Sequence, residues 1–318
     1  MISFNSIPSN ARVPFMFVEF DTSKAQQGPS LKEFKALLIG NKLAAGTKSE
    51  DEVFSVTTGS VLAKMAEAFL KDNKVTSLSC IALDDDGAGV LASGSIAYAG
   101  PATAAGIVSA MIGGTRYRIA VASADTDEVI VAALVDEIQD DPNRVVDVSI
   151  NGGDAKIMDI DARNDGEFGN EIDIRHNYYV GEELPAGITA VTTAMSSGAG
   201  NPDISTSIVA IGEEQYDVIA MPYADAANLL AMETELEDRW GPIRQNDGRV
   251  FIAKRDSHSD LLTFGGLRNS AQSSVMGMSG PSNPWEWAAN IAGVVALNGQ
   301  IDPARPFQTL DLNHIYFQ

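Results

Sequence analysis

Two hydrophobic patterns share this chain, and the place where one gives way to the other constrains its architecture most. From Phe34 the pattern is strand and helix. Phe34 to Ile39 is a short apolar run, and Ser60 heads apolar positions Val61, Leu62, Met65 and Phe69 at helical spacing. Leu78 to Leu83 is apolar again. The alternation returns at Tyr216 to Met221, followed by Asp225 as a cap for a helix bearing Leu229, Met232, Leu236 and Trp240. Gly241-Pro242 stops that helix, and Arg249 to Ala253 and Ser273 to Met278 read as further strands. Such alternation predicts an α/β fold with a largely parallel sheet and helices on both faces.

Between these two stretches the texture is mostly β. Tyr117 to Ala122, Val145 to Ile150, Ala155 to Ile160, Ile172 to His176 and Ile188 to Ala194 are strand-like. Turn clusters such as Asn151-Gly152-Gly153 and Asn164-Asp165-Gly166 separate them. One helix interrupts, Asp125 to Gln139, opened by Asp125-Thr126-Asp127-Glu128 read as a capping box. The division expected is a discontinuous α/β domain, 31–87 with 203–318, carrying an inserted mostly-β domain, 88–202. Residues 1–30 form an extended N-terminal arm. Pro8, Pro14 and Pro29 punctuate this arm, and Val13, Phe15, Phe17, Val18 and Phe20 lie on one isolated apolar segment. A strand without a hairpin mate wants a sheet edge, in its own domain or in a neighbouring molecule.

Charge narrows the partners. Against 22 Lys+Arg stand 43 Asp+Glu, a formal charge of −21. Nucleic-acid binding requires a cationic surface that releases counterions, so no nucleic-acid partner is expected. No stretch approaches the roughly 20 apolar residues a bilayer crossing needs, so membrane insertion is not expected either. The single cysteine, Cys80, cannot form an internal disulfide. The first 20 residues lack the basic and apolar regions of a signal peptide, which points to assembly in cytoplasm.

Residues suited to catalysis are sparse. Gly40 to Ser49 follows a strand, but five residues separate its glycines, Thr47 precedes Lys48, and Glu50-Asp51-Glu52 would repel a triphosphate. Asp256-Ser257-His258-Ser259-Asp260 holds the residue types of an acyl-transfer triad, yet contiguous neighbours cannot converge as nucleophile, base and orienter. The acidic loops at Asp84-Asp85-Asp86 and at Asp159, Asp161 and Asp165 lack the spaced ligands of a calcium loop. No catalytic residue, metal or cofactor is expected. A hydrolase or nucleotide-dependent enzyme on the α/β domain, or a receptor-binding module on the insert, are the alternatives.

Pro284-Trp285-Glu286-Trp287 reads as a helix start, with Asn283 as cap and Glu286 closing a capping box. Alternate helical residues diverge by about 200°, so the two indoles cannot stack as one platform. Ala288, Ala289, Ala292 and Gly293 give the helix a small-residue face for close packing.

Long motifs carry a resemblance. Gly265-Gly266-Leu267-Arg268-Asn269-Ser270, Pro284 to Ala289, and Ile301-Asp302-Pro303-Ala304-Arg305-Pro306-Phe307-Gln308-Thr309-Leu310 resemble the tail sheath proteins of Mu-like contractile-tailed phages. So do Met1-Ile2-Ser3-Phe4, Asn177-Tyr178-Tyr179, Gly181-Glu182-Glu183-Leu184-Pro185 and Asp238-Arg239-Trp240-Gly241-Pro242, and the likeness runs over essentially the whole chain. It implies a subtilisin-like sheath domain without enzymatic activity. It further implies a subunit of the virion tail, assembled in host cytoplasm as a helical homopolymer around the tail tube protein and meeting baseplate and tail-terminator proteins. In it, the arm segment Val13 to Phe20 would link subunits, and Trp285, Glu286, Trp287, Arg305 and Pro306 would serve packing. The family continues past the Arg-Pro segment, so the ending Tyr316-Phe317-Gln318 is expected to be a C-terminal truncation, and it resembles a protease-tag remnant.

Overall fold

The strand–helix alternation builds one five-stranded sheet. In the computed structural model, which describes residues 33–43 and 58–312, its strands are β1 (Lys35–Asn41), β2 (Ser77–Leu83), β10 (Val218–Ala220), β11 (Arg249–Arg255) and β12 (Ser273–Met278). Their order is β12-β11-β10-β1-β2, and every pairing is parallel. Buried parallel strands read as apolar runs, and Leu37, Leu38, Ile39, Val250 and Ile252 are all essentially inaccessible.

The helices follow from crossover handedness. The chain steps from β1 through α1 (Val61–Asp72) to β2 in one direction. It steps from β10 through α4 (Ala226–Trp240) to β11 and through α5 (His258–Gly266) to β12 in the other. Right-handed crossovers in opposite directions place α1 on one face of the sheet and α4 and α5 on the other. The last helix, α6 (Pro284–Ile301), returns to pack on α1, β1, β10 and β11. The expected α/β class with helices on both faces is what the chain adopts.

Helix ends follow local chemistry. Ser60 caps α1 by accepting from the Ala63 N–H, and Asp225 caps α4 by accepting from the Asn228 N–H. The small-residue face of α6 lets it approach α1 closely: a Cβ at Gly293 would lie 3.1 Å from the Phe69 carbonyl oxygen. Asn73 and Asn290 rivet the two helices, donating to the Gly293 and Ala68 carbonyls at 2.9 and 3.0 Å.

The residues between β2 and β10 form two antiparallel sheets. One has the order β6-β7-β3-β9, from β3 (Leu91–Ala99), β6 (Val146–Ile150), β7 (Ile157–Asp165) and β9 (Thr189–Ser196). The other has the order β5-β4-β8, from β4 (Gly106–Ile112), β5 (Thr115–Val121) and β8 (Ile174–His176). Helix α2 (Asp127–Gln139) covers β5 and β6. Its cap is Thr126, which accepts from Val129 N–H, and not Asp125, whose carboxylate turns back to the Ala122 N–H.

Four strands or helices go beyond the sequence expectations. β3 and β4 were not expected, although Gly113-Gly114 between two apolar runs marks the β4–β5 hairpin, with φ of 53° and 81° at the turn. A short helix α3 (Ser205–Ile211) and α5 were also unexpected. Ser257 is the N-cap of α5, accepting from the Asp260 N–H, so the triad-like run is helix-capping chemistry.

Candidate functional site

In an open, doubly wound sheet, ligands bind outside the carboxyl ends of the strands where the strand order reverses. Here that point lies between β1 and β10, and the chain's own residues fill it. At the end of β1, Asn41 is fully buried and accepts from the Tyr223 hydroxyl at 2.7 Å, just past β10. The Asn41 amide donates to Asp85 at 2.7 Å. Asp85 also accepts from the Asn164 side chain at 2.9 Å and the Asp165 N–H at 3.2 Å, both at the end of β7. Asn164 donates to the Lys42 carbonyl as well, at 2.9 Å. A carboxylate collecting three donors is well satisfied. The acidic loop therefore serves as the joint between the parallel sheet and the segment 88–202. Burial pushes the Tyr223 phenol far above its ordinary range, with the nearby Asp85 and Asp225 charges adding to the shift.

An aromatic chain continues the plug. Phe168, on the short 3-10 turn Glu167–Glu171, meets Tyr223 at 6.0 Å and Trp285 at 5.7 Å between ring centroids, edge to face in both cases. Trp285 is 1% exposed, while Trp287, on the diverging side of α6, is half-buried against the core. The indoles do separate as helical geometry requires.

A second joint is ionic. Arg255, at the end of β11, pairs with Asp173 at 2.6 Å and donates to the Gly280 and Ser282 carbonyls. Asp173 is shared with Arg175, whose guanidinium also donates to the Ser279 carbonyl at 3.3 Å. Glu171 accepts from the Arg255 N–H at 2.8 Å, and burial raises its pKa to about 7. Beside it, a cavity of about 340 Å³ opens among Glu171, Phe168, Lys254, Phe264 and Arg268 at the carboxyl edge of the sheet. Both cations stack on the Phe264 ring, Lys254 at 4.8 Å and Arg268 at 5.5 Å from its centroid.

The motif residues can now be placed. Glu286 is buried, and its pKa is raised by desolvation. The expected capping box is not closed as read. Asn283 accepts from no first-turn N–H; its amide instead donates to the Glu286 carboxylate at 2.7 Å and to the Gly113 carbonyl at 2.9 Å, so it also ties α6 to the β4–β5 hairpin. Arg305 and Pro306 are exposed, and Arg305 donates to Asn298 at 2.7 Å. Val13, Phe15, Phe17, Val18 and Phe20 lie outside the described residues, as do residues 44–57 of the glycine- and lysine-bearing loop. His176 is held by the Tyr98 hydroxyl at 2.7 Å, and burial lowers its pKa. Among the described residues no group of three or more His, Cys, Asp or Glu could hold a metal ion, and no helix is long and apolar enough to cross a membrane.

The switch point is thus filled by the chain's own side chains, and comparison with known proteins shows what the chain is similar to. Residues 197–315 match the family described as the phage tail sheath protein central domain, which relates the chain to the phage tail sheath proteins. Over 320 residues it is 40% identical to the Mu-like prophage FluMu tail sheath protein of Haemophilus influenzae, covering 97% of this chain. The resemblance to Mu-like tail sheath proteins is borne out by this identity. The chain spans 65% of that relative's length. A crystal structure of a sheath tail protein from Desulfitobacterium hafniense matches over 89% of this chain and 62% of its own, at 12% identity and a TM-score of 0.32.

Proposed function

We propose that this chain is a structural subunit of a contractile tail sheath, in a bacteriophage or a phage-tail-like particle. It polymerises helically around a tail tube and contracts to drive the tube through a host envelope. The observation that carries this reading is the 40% identity to the FluMu sheath protein across nearly the whole chain. The sealed switch point supports it, because the crevice in which α/β enzymes bind substrates is occupied by Asn41, Tyr223, Asp85 and Asn164.

In this role the chain works by contact and not by catalysis. Its partners are other copies of itself, the tube, and the baseplate and terminator at the two ends; it resides in the virion tail after assembly in host cytoplasm. A heterologous contact that does not close generates a helical filament. The arm segment Val13 to Phe20 links neighbours by adding a strand, each backbone hydrogen bond contributing about 0.5–1.5 kcal/mol net. The 88–202 segment acts as an inserted domain on the 31–87 and 203–318 scaffold. Deleting residues 1–22 from the full-length protein tests the link. Subunits that stay folded but form no tubes in electron micrographs support it, and normal tubes contradict it.

A further inference from the structure

The outer face of the β5-β4-β8 sheet carries a guanidinium with no visible role. On β5 the side chains of Arg116, Arg118 and Ala120 point outward, while Tyr117, Ile119 and Val121 point inward. Arg116 is held by Glu182 and lies over the Tyr179 ring at 4.7 Å. Arg118, opposite Ser109 on β4, is exposed and has no hydrogen bond or ion pair among the described residues. The other described arginines are each held by a carboxylate, a carbonyl or a side-chain oxygen. In a chain with 43 carboxylates and 22 cations, an arginine left over is out of keeping with the rest. Exposed apolar side chains accompany it: Ile107, on β4 opposite Ala120, and Val180, which is fully exposed and next in sequence to the Tyr179 that Arg116 covers. Arginine beside aromatic and aliphatic side chains is the composition of an interface centre.

The complementary surface lies on the opposite side of the same layer. Helix α2 packs on the inner face of β5, and its outer face carries Asp136, Glu137 and Asp140, all exposed and without a side-chain partner among the described residues. These acids crowd the carboxyl end of α2, where the helix dipole favours cations, and no basic residue stands in its last turn. Arg144 reaches only the Gln139 and Asp141 carbonyls there. Val129, 52% exposed, supplies an apolar neighbour on the same helix.

We propose that the Arg118 face of one copy docks on the carboxylate-bearing outer face of α2 in a second copy. This rests on the reading of the protein as a self-assembling subunit and names one of the contacts that reading requires. The two surfaces lie back to back across β5, so they cannot meet within one chain. Pairing them between copies leaves one of each free at the ends, the condition for an open filament.

The test is a charge reversal in the full-length protein, scored as the concentration needed for tube formation by sedimentation and electron microscopy. Arg118→Glu should raise that concentration about tenfold or more, with thermal melting unchanged because the side chain is exposed. Arg118→Gln, free of any new repulsion, should fall between it and the wild type. Adding Glu137→Arg or Asp136→Arg to Arg118→Glu should recover assembly. Unchanged assembly of Arg118→Glu overturns the contact while leaving the sheath reading intact. So does a loss that neither reversal recovers. A wild-type protein that forms no tubes overturns the sheath reading itself, and this contact falls with it.

Discussion

The Phe168 ring meets the Trp285 indole edge-on, with centroids 5.7 Å apart and planes at 86°. One residue belongs to the segment between the two α/β stretches and the other to the helix that closes the parallel sheet, so the pair joins the two halves of the fold. Edge-to-face geometry aligns the positive ring edge with the negative face and contributes about 0.5–1.5 kcal/mol beyond area burial. Trp285→Ala should cost about 3–5 kcal/mol, read from denaturant unfolding. A double-mutant cycle with Phe168→Ala should return a coupling near the edge-to-face value; additive losses would mean the rings do not interact.

The polar joint at the switch point has its own signature. Asp85→Ala removes an acceptor shared by Asn41, Asn164 and the Asp165 N–H. Leaving those donors unmatched should cost about 2–3 kcal/mol in chemical denaturation. A change within about 0.5 kcal/mol would show that water replaces the carboxylate without loss.

Glu171 makes stability depend on pH. Its folded pKa of about 7 lies above the ordinary 4.5, because burial outweighs the Arg255 N–H and the neighbouring Lys254 and Arg255 charges, with Asp256 adding to the rise. The folded state therefore binds the proton more tightly than the unfolded one. Its contribution is fully present below about pH 4.5 and is lost as pH rises through about 7, amounting to at most about 3 kcal/mol. Glu171→Gln should flatten the stability profile across that window. A mutant profile parallel to the wild type from pH 4.5 to 7 would refute the assignment.

Helix α5 should open before the rest of the sheet domain. None of its residues is buried, whereas α6 buries Trp285, Ala288, Ala289 and Ala292. Local opening costs least where few apolar contacts hold an element. Amide exchange in His258–Gly266 should run at least tenfold faster than in Pro284–Ile301, and equal protection of the two helices would contradict this.

The sequence carried the parallel sheet clearly because buried strands and amphipathic helices have distinct periods. Leu37 to Ile39 and the Val61, Leu62, Met65, Phe69 set each admit one reading. β3 was obscure because Leu91 to Ala99 is built from small residues, with Gly94 and two serines diluting the alternation. α5 was obscured by polar residues that suggested chemistry, though Ser257 and Asp260 only cap a helix. The plug at Asn41, Asp85, Asn164 and Tyr223 could not be read at all. Its members lie up to 182 residues apart, and polar side chains carry no period to mark which of them will meet. The motif around Trp285 was visible as a helix start, but the turn of Asn283 toward Gly113 depends on a hairpin brought from far along the chain.

The central claim is that this molecule acts by binding copies of itself. Negative-stain electron microscopy of the full-length protein tests that most directly, alone and mixed with tail tubes. The account predicts hollow cylinders, with tubes enclosed where they are present. Discrete, separate subunits under both conditions would contradict it.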